Sequence, residues 1–232
     1  MNAPTPGPHS VDFDAFACGY DAALDQGISL SGETKEFFAR GRVEWLRKCL
    51  NGLRPELVLD YGCGTGSTSP ILRSVLGSRE VVGVDSSEAE IALARRGAEA
   101  GLTFATTDEF APTGNVDVAY CNGVFHHIPV SERLGAIESI RASLRPGGIF
   151  SLWENNPWNP GTRLVMSRIP FDRDAILVSA REARRLARAG GFEVLGTHYL
   201  FVFPKMLGAL RRFEGPLSSL PLGAQYQVLC RK

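Results

Sequence analysis

The chain has 232 residues, of which 44% are hydrophobic, enough apolar material to core one α/β domain without a metal or disulfide staple. Its 25 Lys plus Arg balance 25 Asp plus Glu, so it lacks the global positive field that draws proteins onto nucleic acid, and a polynucleotide substrate is not expected. Its five scattered cysteines contain no C-x-x-C pair and read as reduced thiols of a cytoplasmic protein; the start does not read as a signal peptide, and no run has the length and apolarity to span a membrane.

In chain order, the Pro-rich residues 1–10 read as a disordered tail and residues 11–52 as a helical cap. Within the cap, Phe37, Val43, Leu46 and Leu50 recur at helical spacing over 33–51, and Gly52 stops the helix. Strand 56–60, helix 67–77, strand 80–84, helix 88–100 and strand 102–107 then alternate, the pattern of right-handed crossovers building a parallel sheet. A strand at 116–121 follows. Ser131 is the expected cap of a helix running to Leu144, and Arg145-Pro146-Gly147-Gly148 turns the chain into strand 149–154. Residues 155–178 are rich in Pro, Asn and Arg and read as an irregular segment; a connection of that length points to a substrate loop. Ser179 begins a helix to Ala189, and 193–203 and 224–230 supply the final strands. The expected fold is α/β, a Rossmann-like doubly wound sheet of seven strands. It is mostly parallel with its last strand antiparallel, in one domain over 1–232 with an N-terminal helical lid.

The densest signal is Val58-Leu59-Asp60-Tyr61-Gly62-Cys63-Gly64-Thr65-Gly66-Ser67, followed by Val81-Val82-Gly83-Val84-Asp85. A strand, a glycine turn, a helix and a second strand ending in an acid make a nucleoside half-site. The glycines let the backbone approach a ligand closely, and the acid accepts from ribose hydroxyls. The third glycine comes one residue earlier than in the dinucleotide fingerprint, and Asp60 directly precedes the turn. There it would oppose a pyrophosphate by roughly a kcal/mol or more and suit a cationic or amino-bearing ligand.

On these residues the chain resembles the class I S-adenosylmethionine-dependent methyltransferases. Their first motif is an acid, a turn residue and G-x-G-x-G, and their second ends in a ribose-binding acid. Asn122-Gly123-Val124-Phe125-His126-His127-Ile128-Pro129 and Leu144-Arg145-Pro146-Gly147-Gly148 are similar to the small-molecule branch that includes quinone-biosynthesis methyltransferases. The resemblance implies S-adenosylmethionine as cofactor, with Gly62, Cys63, Gly64 and Gly66 around its methionine part and Asp60 toward its ammonium, by backbone or through water. Asp85 would hold the ribose, Ser86 would neighbour the adenine ring, Asp108 or its rival Glu109 would meet the adenine amine, and Asn122 and Phe125 would lie beneath. Tyr20, with Phe13, Phe16, Phe37 and Phe38, would form a lid. Arg40 and Arg42 read either as partners of the cofactor carboxylate or as surface charges.

A sulfonium methyl is already activated, so the protein mainly aligns a nucleophile with it, and a base is needed only where the acceptor keeps its proton at neutral pH. His126 and His127 follow a strand end opening onto the cofactor, and one of them is the candidate base, a loop-stabilising hydrogen bond being the other role. Glu154, at the end of the fifth strand, would bind or deprotonate the acceptor or pair with an arginine. His198, inside a late strand, reads as structural. Trp158, Arg163, Arg168 and Phe171 predict an aromatic-walled pocket with cationic donors for an anionic or sugar-like acceptor. Arg181, Arg184, Arg185 and Arg188 share a helix face, either solvated or facing a phosphate, glycan or membrane surface. The expected activity is methyl transfer to a small-molecule or glycolipid-like acceptor, oxygen slightly ahead of carbon or nitrogen, by a cytoplasmic monomer or homodimer. No metal, nucleic acid or transmembrane segment is expected, and peripheral membrane contact stays open. The rivals are an NAD-dependent oxidoreductase and a non-catalytic S-adenosylmethionine-binding protein.

Overall fold

A computed structural model describes residues 27–28, 31–169 and 175–232. Its strands are β1 (Leu57–Tyr61), β2 (Glu80–Asp85), β3 (Leu102–Thr106), β4 (Val116–Asn122), β5 (Leu144–Asn155), β6 (Glu193–Leu200) and β7 (Gln225–Arg231). They form one sheet in the order β3-β2-β1-β4-β5-β7-β6. β1 to β5 are parallel, and β7 runs antiparallel between β5 and β6. The strand order therefore reverses between β1 and β4, the switch point where a doubly wound sheet opens a crevice at its carboxyl edge.

Side chains alternate across each strand, so neighbouring apolar residues feed opposite layers. Val58, Val81 and Val118 pack with Val43 and Leu46 of α1 (Lys35–Cys49), Leu72 and Leu76 of α2 (Ser69–Leu76), and Ile91 and Ala94 of α3 (Glu88–Arg96). Leu59, Val84 and Ala119 pack on the other face with Ile137 and Ile140 of α4 (Arg133–Ser143) and with Ala183 and Ala187 of the later helix Ala180–Ala189. The caps that start these helices are local in sequence. Thr34 accepts from the Phe37 amide, Ser87 from the Glu90 amide, and Ser179 with Glu182 closes a capping box.

The structure departs from the sequence expectations in four places. Ser131 is not a cap: Glu132 holds that position without a side-chain cap bond, because the Glu132 amide closes a turn onto Pro129 and Arg133 is drawn inward to the Ile128 and Ile176 carbonyls. Arg145-Pro146-Gly147-Gly148 lies inside β5, as extra residues between the Val116–Leu144 and Val118–Ile149 pairings. The supposedly irregular 155–178 contains α5 (Pro160–Met166), started by the Asn159 side chain accepting from Thr162 and by proline in the first turn. The strand from Glu193 ends at Leu200, since Phe201 takes φ of 64°, a left-handed conformation that breaks a ladder.

The helix at Ala180–Ala189 is α6, and a 3₁₀ segment at Lys205–Phe213 leads into α7 (Glu214–Leu217); neither of these last two was expected. Among the described residues no helix is long and apolar enough to cross a membrane. Phe13, Phe16, Tyr20, Phe171 and the expected tail at 1–10 lie outside the described residues.

Candidate active site

The turn after β1 is held against β2: the Gly62 and Cys63 amides donate to the Val84 carbonyl at 2.7 and 3.1 Å. Gly62, Gly64 and Gly66 all have positive φ, but they serve different neighbours. A Cβ on Gly62 would lie 2.1 Å from Val124, whereas one on Gly66 would lie 2.7 Å from the Phe104 ring and 3.2 Å from Ala94. Gly66 thus seats the turn on β3 and α3 and, unlike Gly62 and Gly64, lines neither of the two cavities that meet here, away from its expected place around the cofactor.

Two cavities meet at this turn. One, of about 480 Å³, is lined by Tyr61, Gly62, Gly64, Asp85, Ser86 and Thr107 and, across from them, by residues of the β4 end and α4. The other, of about 590 Å³, is lined by Arg42, Cys63, Thr65, Thr68 and His126, by one side of α5, and by Phe37, Phe38 and 201–204. Gly62, Gly64, Asn122, Gly123 and His127 line both, so the glycine turn and the β4 end form the neck between two chambers.

Asp85 holds the glycine turn and lines the smaller cavity. Its Oδ2 accepts from the Gly64 amide at 2.8 Å and its Oδ1 from Ser87 at 3.0 Å, pinning the glycine turn. Each oxygen keeps a further lone pair, and the carboxylate faces the smaller cavity. Asp60 points away from both cavities: it is 2% exposed and accepts from Ser69 Oγ at 2.7 Å. Burial pushes its carboxyl up to about 7; the Ser69 bond opposes the shift, nearby Asp85 adds to it and Arg42 opposes it. Burial likewise holds the Cys63 thiol far above its ordinary range.

Glu154 is not in contact with either cavity. It is 1% exposed, with Oε1 accepting from the Phe125 amide at 2.7 Å and Oε2 lying 2.6 Å from His126 Nδ1. A carboxylate here accepts, so Nδ1 carries the proton and the ring's basic lone pair lies on Nε2. Phe125 is buried in the core, its amide serving Glu154 rather than its ring lining a site. His127 packs on His126 with ring centroids 4.0 Å apart and lines both chambers.

Other expected contacts fall elsewhere. Glu109 is occupied by Arg95 at 2.5 Å and the Thr106 amide at 2.9 Å, which together lower its pKa, and Asp108 is exposed; Thr107 faces the cavity instead. Trp158 is 76% exposed, and Arg163 and Arg168 are exposed on α5 and just after it, none of them lining a cavity. The α5 residues that do line it are Gly161, Thr162, Leu164, Val165 and Met166, with Ile169 just past the helix end; the helix start is signalled by Asn159-Pro160. Arg40 pairs with Glu36 on the surface, while buried Arg42 donates to Tyr120 Oη and Gln225 Oε1, both at 2.9 Å. His198 is structural in its contacts, against Gln227 and Trp45.

A methyltransferase-domain model matches residues 58–148, which hold the glycine turn, Asp85 and the β4 end. The ubiquinone biosynthesis O-methyltransferase of Alkalilimnicola ehrlichii is 30% identical over 151 residues, covering 60% of this chain and 59% of that one. Over these residues the chain is similar to the class I S-adenosylmethionine-dependent methyltransferases. A second similar protein, the trans-aconitate 2-methyltransferase of Variovorax paradoxus, is 33% identical over 111 residues, 47% of this chain and 42% of its own. The chain therefore spans about half the length of the curated relatives it matches. A solved structure from Thermotoga maritima, a possible histamine N-methyltransferase, superposes with a TM-score of 0.62 over 95% of this chain and 98% of its own at 21% identity, a likeness of fold. The family's cofactor is S-adenosylmethionine. The chain's own residues fit it: a positive-φ glycine neck with no side chain in the way, and an acid with spare lone pairs in the smaller chamber.

Proposed function

We propose that the protein transfers the methyl group of S-adenosylmethionine to a hydroxyl oxygen of a largely apolar small molecule. When bound, the cofactor supplies a methyl carbon already activated by the sulfonium. In this reading Asp85, Ser86 and Thr107 hold its nucleoside in the smaller chamber, Gly62, Gly64 and Asn122 hold its methionine part at the neck, and the acceptor fills the larger chamber.

The observation that carries the oxygen assignment is the His126–Glu154 pair at 2.6 Å, with His126 at the wall of the larger chamber. A carboxylate acceptor is ionised at neutral pH and needs no base, whereas a phenol, with a pKa near 10 for the tyrosine ring, keeps its proton. A buried histidine with its second nitrogen fixed is useful only to the latter. The chamber's cations favour the same class. Of the three Lys and Arg side chains that line it, Arg42 is committed to Tyr120 and Gln225 and Arg211 to Glu33 at 2.8 Å and the Phe203 carbonyl at 3.1 Å, so neither arginine stands ready for a polyanion; Lys35 is the third. Phe37, Phe38, Phe201, Val165, Met166 and Ile169 supply the apolar wall.

The test is transfer from labelled S-adenosylmethionine to two probes, a catechol and trans-aconitate, by the intact protein and by His126→Ala. Catechol methylation that falls roughly 10²-fold or more in the variant while cofactor affinity holds supports the reading. Preference for trans-aconitate, or equal catechol rates with and without His126, overturns it.

A further inference from the structure

The 3₁₀ segment Lys205–Phe213 is amphipathic with its sides reversed. No residue in it is buried, although Met206, Leu207, Leu210 and Phe213 are apolar, and Met206 is 89% exposed. What ties it down is polar. The Phe203 amide donates to Glu214 at 3.0 Å, Arg211 donates to the Phe203 carbonyl, pairs with Glu33 and lies 4.6 Å from the Phe37 ring centre. The chain thus spends its polar contacts inward and leaves its apolar side chains outside, an arrangement that water alone disfavours.

This segment continues into a neighbouring one. The Asn156 side chain donates to the Pro221 and Gly223 carbonyls, and Asn159 to Leu222, stitching the 156–169 stretch to the 220–223 loop. Of the fourteen large apolar side chains exposed among the described residues, eight lie in these two stretches, including Trp158, Leu164 and Leu222. Charge is equally one-sided: with the inward Arg211–Glu33 pair and the inward Glu214 set aside, residues 155–169 and 201–223 hold Arg163, Arg168, Lys205 and Arg212 and no acid. Both stretches also border the larger chamber, which is lined by Leu164, Val165, Pro204 and Arg211.

We propose that the rim formed by Lys205–Phe213 and the tip of the α5 region docks on an anionic lipid surface, with the mouth of the larger chamber facing the bilayer. Apolar side chains mixed with cations and almost no acids match such a surface, the apolar groups entering the headgroup boundary and the cations meeting lipid phosphates. A second copy of the chain in the same place would set cations against cations across a two-fold interface. An acceptor with a lipid-like portion would then pass from the bilayer into an apolar chamber without crossing water; that last step rests on the proposed methyl transfer, the docking does not.

Flotation of the intact protein with phosphatidylcholine vesicles, with and without an equal share of phosphatidylglycerol, tests the docking. Binding is expected with the anionic vesicles and should weaken with salt. Met206→Glu with Leu210→Glu should cut it at least tenfold, and Arg212→Gln by about fivefold, the effect of one basic residue near an anionic surface. None of the three lines a chamber, so S-adenosylhomocysteine affinity, measured by calorimetry, should be unchanged in each variant and serves as the check on folding. Failure to bind anionic vesicles, or binding that these variants leave intact, overturns the proposal. So does sedimentation showing a dimer that Leu210→Glu dissociates, which would give the face to a second copy. Methyl transfer to a water-soluble catechol reports separately on the catalytic reading, whatever the vesicles show.

Discussion

Glu154→Gln isolates what the buried glutamate does for His126. The replacement is nearly the same size, so the void and packing terms are small, but its two terminal atoms are no longer equivalent. The Phe125 amide, 2.7 Å from Oε1, requires an acceptor there, which turns the new NH₂ toward His126 Nδ1, 2.6 Å from the other oxygen. Nδ1 must then accept, the ring proton moves to Nε2, and Nε2 loses its basic lone pair. Flipping the amide to restore the tautomer sets NH₂ against the Phe125 N–H, leaving a buried donor unsatisfied at about 1–3 kcal/mol. That alone holds the active tautomer to roughly a tenth to a hundredth of the population. Turnover should fall by about that factor, roughly 10- to 100-fold, or about 1.4–2.7 kcal/mol of transition-state stabilisation.

Single-turnover methyl transfer to a catechol measures this, with S-adenosylhomocysteine affinity and the melting temperature as controls that should move little. In a His126→Ala background the same change should cost almost nothing further, because both substitutions remove one function. Retention of more than a third of the wild-type rate, or an equal loss with and without His126, would refute the positioning role.

Three further outcomes are expected. Asp85→Ala should weaken S-adenosylhomocysteine binding at least tenfold by calorimetry, since it removes charge-assisted acceptors and also releases the Gly64 and Ser87 amides; unchanged affinity contradicts the ribose assignment. Asp60 holds its proton more tightly folded, with a pKa of about 7, than unfolded, near 3.9. Stability should therefore fall as pH rises from about 4 to 7, by at most about 4 kcal/mol, and flatten above. Asp60→Asn mimics the protonated form and should abolish that fall in urea titrations, whereas an unaltered pH dependence would show that other groups cause it. Gly66→Ala forces a side chain into positive φ and against Phe104, costing about 2–4 kcal/mol and lowering the melting temperature by roughly 5–15 °C; a normal melting curve would show that the turn relaxes freely.

The fold was legible because its signals are local. Ser87 and Ser179 cap helices from within three residues, and the glycine turn together with a strand-terminal Asp85 places the crevice without any long-range information. Side-chain direction is not local, and there the reading failed. Glu154 and His126 lie 28 residues apart and meet because His126 follows β4 and Glu154 lies near the end of the adjacent parallel β5. Which way Glu154 points depends on the phase of the alternation along β5, where Trp153 faces the α1–α3 layer and Glu154 consequently the other. Asp60, one residue past Leu59, obeys the same alternation and turns under the loop toward Ser69, not toward the ligand.

Arg163 and Arg168 were misplaced by a different phase error. Reading 155–178 as irregular leaves every polar side chain free to reach an acceptor. Once Asn159 and Pro160 start a helix, the 3.6-residue period decides which positions share a face, and it gives the chamber Thr162, Val165, Met166 and Ile169 while sending both arginines outward. That single change inverts the inferred chemistry of the pocket, from a cationic site for an anion to an apolar one for a hydroxyl. The proposed substrate class rests on the helix as much as on the composition.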